Sequence, residues 1–173
     1  MPIYALGERI PRIDPSAFIH PDAVIIGDVT IGPESTVWPA AVLRGDHGTI
    51  VVGAQTSIQD GTVVHTTADH RTVIGDRCVV GHNAHLEGCT VEDDCLIGSG
   101  SVVLHRSIIR SGALVGAAAL VPNDTDVPSY AMALGVPCRI RENAVAVGAF
   151  DDSVSHYVAN GHLFRAGLRR LDG

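Results

Sequence analysis

Between Val80 and Cys89 the chain reads Val-Gly-His-Asn-Ala-His-Leu-Glu-Gly-Cys, so His82, His85, Glu87 and Cys89 fall within ten residues. Imidazole, carboxylate and thiolate are the side chains that hold zinc and similar divalent cations. Further upstream stand Arg44 and Asp46, then Gln59 and Asp60, then His65. These types suit a metal centre that activates water, provided the fold brings them together. None of these groups is close enough in sequence to the others to do so alone.

What must position them is a repeat. An aliphatic residue recurs at Ile26, Ile31, Val37, Leu43, Val52, Ile58, Val64, Ile74, Val80, Leu86, Val91, Ile97, Val103, Ile109, Val115 and Val121, and eleven of the fifteen steps are six residues long. A small residue often follows four positions later, for example Ser35, Thr56, Cys78, Ala84, Cys95 and Ser101. A period of six matches neither a helix nor a hairpin meander. It fits short strands that turn a corner every six residues, each coil stacking on the last. Cys78 and Cys95 fall in the small slot and read as buried free thiols. With no CxxC pair, the four cysteines do not read as a zinc finger or a redox motif.

The period fixes neither coil count nor handedness. Resemblance to left-handed β-helix proteins implies three hexads per coil, giving a little over five coils between Ile26 and Val121. On that count Leu43, Val64, Leu86 and Val103 share one wall, so Arg44, His65 and Glu87, each just after an inward aliphatic, line its outside. Val37, Ile58, Val80 and Ile97 share another wall, which carries Gln59, Asp60 and His82. Neighbouring coils lie roughly 4.8 Å apart. His65 and Glu87 are then side by side, whereas His82 belongs to a different face. A site drawing on all three must form between two copies of the chain, and a three-walled prism suggests three copies in a ring.

Two steps are long, Leu43 to Val52 and Val64 to Ile74, and both bulge from one corner. The proline-rich stretch up to Ala23 reads as a lead-in segment with turns, and the rhythm is expected to stop at Pro122. Asp151 to Leu171 has helical spacing, with Asp151, Asp152 or Ser153 as cap and with Gly161 and Gly167 weakening it by about 1 kcal/mol each. Arg165, Arg169 and Arg170 read as a solvated face. The expected organisation is a β-helix over residues 1–140 and a C-terminal segment, 141–173, whose helix packs on it, in one all-β domain.

Composition narrows the partners. A net charge of −7 with no basic stripe argues against nucleic acid and anionic membrane surfaces. No apolar run approaches bilayer-spanning length and residues 1–16 show no signal-peptide pattern, so the cytoplasm is the expected compartment.

The ordered motifs Arg44-Gly45-Asp46, Gln59-Asp60-Gly61 leading to His65, and Gly81-His82 leading to Gly88-Cys89 resemble the γ-class carbonic anhydrase family of hexapeptide-repeat proteins, over roughly Pro11 to Pro137. That resemblance implies a left-handed parallel β-helix with a C-terminal α-helix. It implies a homotrimer with one Zn2+, Fe2+ or Co2+ per subunit at the interface, and reversible hydration of CO2 to bicarbonate by a metal-bound hydroxide. It assigns His65 and His82 as ligands, Gln59 to orienting the bound solvent, and Arg44 with Asp46 to an intersubunit ion pair. The departure is Glu87, where the family has histidine. A two-histidine, one-glutamate set is a known zinc environment, but an anionic ligand weakens the Lewis acid and would slow CO2 hydration. His85 is the rival ligand, with Glu87 then acting as base or as its hydrogen-bonding partner. Proton transfer falls to His47 or to Asp69 and His70 in the bulge, and His20, His105, His156 and His162 read as surface or packing residues. The alternatives are a hexapeptide acyltransferase or thioesterase acting on a CoA-type substrate, and a non-catalytic trimer that binds a small molecule.

Overall fold

A computed structural model describes residues 2–172. The chain is a left-handed parallel β-helix of about seven turns with one C-terminal helix. Its inward aliphatics form three ladders. One runs Ile25, Leu43, Val64, Leu86, Val103, Val121; the second Ile13, Ile31, Val52, Ile74, Val91, Ile109, Val127; the third Ile19, Val37, Ile58, Val80, Ile97, Val115, Ala133. Nearly all are completely buried. The strands pair in parallel and in register, so each residue sits beside its counterpart in the next coil.

The ladder is longer than the spacing from Ile26 to Val121 predicts. At the N-terminus Arg12–Ile13 pairs with Thr30 and Ile31, and Phe18–Ile19 with Thr36 and Val37, so the proline-rich segment is already coiled. Beyond Pro122, Asp126–Val127 and Met132–Leu134 continue the parallel pairing. The prolines do not break the rhythm because they occupy corners, where no ladder hydrogen bond is required of them. Pro33 and Pro39 each precede a residue of positive φ, Glu34 at 55° and Ala40 at 58°, the arrangement a type II turn favours. The first rung also shifts by one: Ile25 points inward and Ile26 lies beside Arg44 on the outer face.

Both long steps lie at one corner and stack, with Gly48 of the first against Thr67 of the second. Residues Val42–Val52 run through this corner as one continuous strand that joins two walls into a single sheet. The small residues fill the tight corners: Ser35, Thr56, Cys78, Ala84, Cys95 and Ser101 are all essentially inaccessible. All four cysteines are free. The Cys78 thiol is pushed up by contact with Cys95 and by burial, and burial pushes Cys89 up to about 12, so neither supplies a thiolate near neutral pH.

After an antiparallel return, Arg139–Arg141 on Met132–Leu134, the chain enters the helix Asp151–Gly167. It stops short of Leu171, with Leu168 extended, and Phe150 rather than Asp151, Asp152 or Ser153 holds the cap position, without a side-chain hydrogen bond. Asp151 instead pairs with Arg77, and both aspartates sit in the first turn, where the helix dipole favours them. Tyr157 and Phe164 pack on Trp38, with ring centroids 6.1 and 5.0 Å away. Gly161 makes this close seat possible: a Cβ there would meet Thr36 Cγ2 at 2.7 Å. Arg165 also belongs to the seat, donating to the Pro15 carbonyl at 3.1 Å. Among the described residues no helix is long and apolar enough to cross a membrane.

One corner carries an unmet cost. Ser101 Oγ is buried without a hydrogen-bond partner, while the same slot in the adjoining coils holds Ala84 and Ala119. Ser101→Ala is expected to raise stability by about 1 kcal/mol, read as a higher urea midpoint at unchanged slope; a lower midpoint would show that the hydroxyl has a partner.

Candidate metal centre

Register alone assembles the first half of the site. Arg44 and Asp46 lie on Val42–Val52, His65 ends Val63–His65, and His85 and Glu87 flank Leu86 on His85–Glu87. Arg44 pairs in register with His65, and His65 with Glu87. All these side chains leave the same outer wall.

They form a continuous polar chain. Arg44 pairs with Asp46, whose Oδ1 lies 3.1 Å from His65 Nε2. His65 Nδ1 is 2.8 Å from Glu87 Oε1, and Glu87 Oε2 is 3.3 Å from His85 Nε2. The Arg44–Asp46 pair thus exists inside one chain. Burial works against the charge on Asp46, but hydrogen bonds from Arg44 and His65 and the guanidinium charge outweigh it and hold the carboxyl below its usual range. For Glu87, burial is likewise overcome by hydrogen bonds from His65 and His85 and by the nearby His65 and His105.

His82 and Gln59 are elsewhere, on the wall carrying Ile58 and Val80. His82 Nδ1 lies 2.9 Å from Asp60 Oδ2, with both side chains about half exposed. Gln59 is only 4% exposed and reaches the hydroxyl of Tyr157 on the helix. Among the described residues no three candidate ligands of one chain are arranged to hold a metal ion. The donor types fit a divalent cation once His65 Nε2 gives up its contact with Asp46: His65 with Glu87 or His85 converge on one wall, and the half-exposed His82 has its Nε2 outside the Asp60 contact.

Two contributors escape sequence reasoning. His105 comes within 3.6 Å of Glu87 Oε1, and its Nε2 is buried without a hydrogen bond. The ladder step from Leu86 to Val103 places it next to Gly88 and was the available signal. Gly88, at φ 62°, leaves room that a Cβ would take from His105 and His70. The His70 ring lies 5.8 Å from that of His105, and its Nε2 accepts from Arg106 at 3.1 Å. Tyr157 falls in the helical spacing of the C-terminal segment, but nothing in that spacing places it over Gln59. Of the other proton-transfer candidates, His47 and Asp69 are exposed, and Cys89 faces the core.

Residues 71–105 match the family model described as bacterial transferase hexapeptide (six repeats). The chain is 42% identical over 138 residues to γ-carbonic anhydrase 1, mitochondrial, of Arabidopsis thaliana, covering 76% of this chain and 50% of that one. It is 37% identical over 143 residues to the carnitine operon protein CaiE of Escherichia coli, covering 83% of this chain and 73% of CaiE. The chain belongs to the γ-class carbonic anhydrase-like family of hexapeptide-repeat proteins. It spans about half the length of the Arabidopsis relative. A hexapeptide transferase family protein from Anaplasma phagocytophilum superposes with TM-score 0.89 at 33% identity, over 94% of this chain and 98% of that one.

The depressed Glu87 carboxyl ties stability to pH. A carboxyl whose folded-state pKa lies below its unfolded value stabilises the fold above the unfolded value and loses that contribution as pH falls through the folded one. Stability of the wild type should therefore fall as pH drops below about 4.5, the ordinary glutamate value, and Glu87→Gln should fall less steeply. Parallel denaturant curves from pH 6 to 3 check this; equal slopes would mean that Glu87 is not held ionised by the histidines.

Proposed function

We propose that this protein is a γ-carbonic-anhydrase-like metalloprotein that hydrates CO2 reversibly at a divalent-cation centre between subunits of a homotrimer. The reading is carried by one observation: the coil register sets His65 beside Glu87 and His85 on one wall and His82 on another. Membership of the γ-class-like family supports it. Zn2+, Fe2+ or Co2+ would be held by His65 and by Glu87 or His85 of one subunit and by His82 of the next. Such a cation supplies Lewis acidity that brings the pKa of a coordinated water toward about 7. Arg44 holds Asp46, and Asp46 holds His65 Nε2 in the place a cation would take, so binding would exchange that contact for the metal. Gln59, which the family resemblance assigns to orienting bound solvent, is buried under the helix and would have to turn its amide outward to do so. The cytoplasm is the compartment we assign to it.

A second reading, transfer or hydrolysis of an acyl group on a CoA-type substrate, is favoured by the transferase family model and by the Anaplasma structure. A non-catalytic trimer that binds a small molecule is the remaining alternative.

The purified protein is expected to elute as a trimer carrying about one metal ion per chain. His65→Ala and His82→Ala should each lose the metal and CO2 hydration while remaining trimeric. Because each centre takes residues from two subunits, refolding the two variants together should restore up to about a third of the sites in mixed trimers. Failure to restore any would place all ligands in one chain. Metal-free wild type that releases heat with acetyl-CoA would favour the second reading.

A further inference from the structure

The role of position 87 can be taken further on the reading that a cation sits beside His65. On the outer face of that wall two columns of side chains flank the inward ladder. The column just before the ladder reads Val24, Val42, Val63, His85, Val102, Leu120. His85 is the single polar residue in an otherwise aliphatic stripe. Covering such a stripe with a second subunit buries the ring, and although Nε2 has Glu87 Oε2 at 3.3 Å, leaving Nδ1 buried without a partner is costly. Its place therefore calls for a specific bond.

Glu87, by contrast, is already occupied within its own chain. Oε1 takes His65 Nδ1 at 2.8 Å and has His105 Nε2 at 3.6 Å, and Oε2 faces His85 Nε2 at 3.3 Å. To become a donor it would have to surrender one of these. His85 spends Nε2 on the carboxylate and keeps Nδ1, whereas His65 gives Nδ1 to Glu87 and has Nε2 3.1 Å from Asp46 Oδ1, so it takes up a cation by exchanging the Asp46 contact for it. Imidazoles that bind metals characteristically give their second nitrogen to a carboxylate, which fixes tautomer and ring orientation. The His85 side chain is also the more exposed, 36% against 21% for Glu87.

We infer that His85, and not Glu87, is the third donor to the interfacial cation, and that Glu87 is a positioning residue that bridges His65 and His85. Three neutral imidazoles then surround the cation, from His65 and His85 of one subunit and His82 of the next. The glutamate leaves its Lewis acidity intact, in place of the weakening that direct carboxylate ligation brings.

The test is zinc affinity by chelator competition on the purified wild type, His65→Ala, His85→Ala and Glu87→Gln, each checked for trimer elution and thermal unfolding. His85→Ala should lose affinity at least as far as His65→Ala, whereas Glu87→Gln should weaken binding by about 10–100-fold. Wild-type affinity in His85→Ala would overturn the assignment. Zinc-edge X-ray absorption on the wild type gives the same answer without a variant: three imidazoles are expected, and two imidazoles with a carboxylate would contradict it. A wild type that takes up no metal would instead overturn the metal-centre reading, and this inference with it.

Discussion

Everything in this molecule depends on parallel, in-register hydrogen bonding between successive coils. That pairing fixes a rise of roughly 4.8 Å and makes one aliphatic of each hexad the floor for the next. Once the ladder is set, lateral neighbours are no longer a matter of side-chain choice. His65 lies beside Glu87 because Val64 lies beside Leu86, and it is close to Asp46 because Val64 also lies beside Leu43. The backbone spends its polar groups on the ladder, and the outer face is left free to vary.

The same constraint keeps the proposed centre incomplete within one chain. Residues one coil apart on a wall converge, but residues on two walls diverge, so His82 cannot approach His65 without unwinding the prism. What the wall presents outward is therefore half of the proposed centre, embedded in an aliphatic stripe from Val24 to Leu120. The helix covers a different wall, over Phe18, Thr36 and Ser57, and leaves this one open. Fold and proposed assembly are in that sense one problem: the face proposed to bind the cation is the face that needs covering.

Much of this is legible in the letters, for physical reasons. A six-residue period with a small residue four places on has few solutions, and the ladder from Ile31 to Val121 follows from it. The shift at the first rung does not, because Val24, Ile25 and Ile26 are all aliphatic and only pairing with Val42 and Leu43 chooses among them. Coiling before Ala23 and after Pro122 is masked by prolines that look like breakers and are corner residues. Gly161 reads as a weakness in the helix, yet it is what lets the helix approach Thr36. At the site, column arithmetic finds Arg44, His65 and Glu87 together, but it cannot say which way a ring turns. The His105 contact and the tyrosine over Gln59 depend on side-chain reach and on a helix outside the repeat.

The central claim is that the repeat divides one metal centre between two subunits. Anomalous diffraction at the zinc edge from crystals of the purified, zinc-loaded protein tests it most directly. The account predicts one peak at each interface, between His65 of one subunit and His82 of its neighbour. A peak bound wholly within one subunit, or ordered trimers with no peak between those histidines, would contradict it.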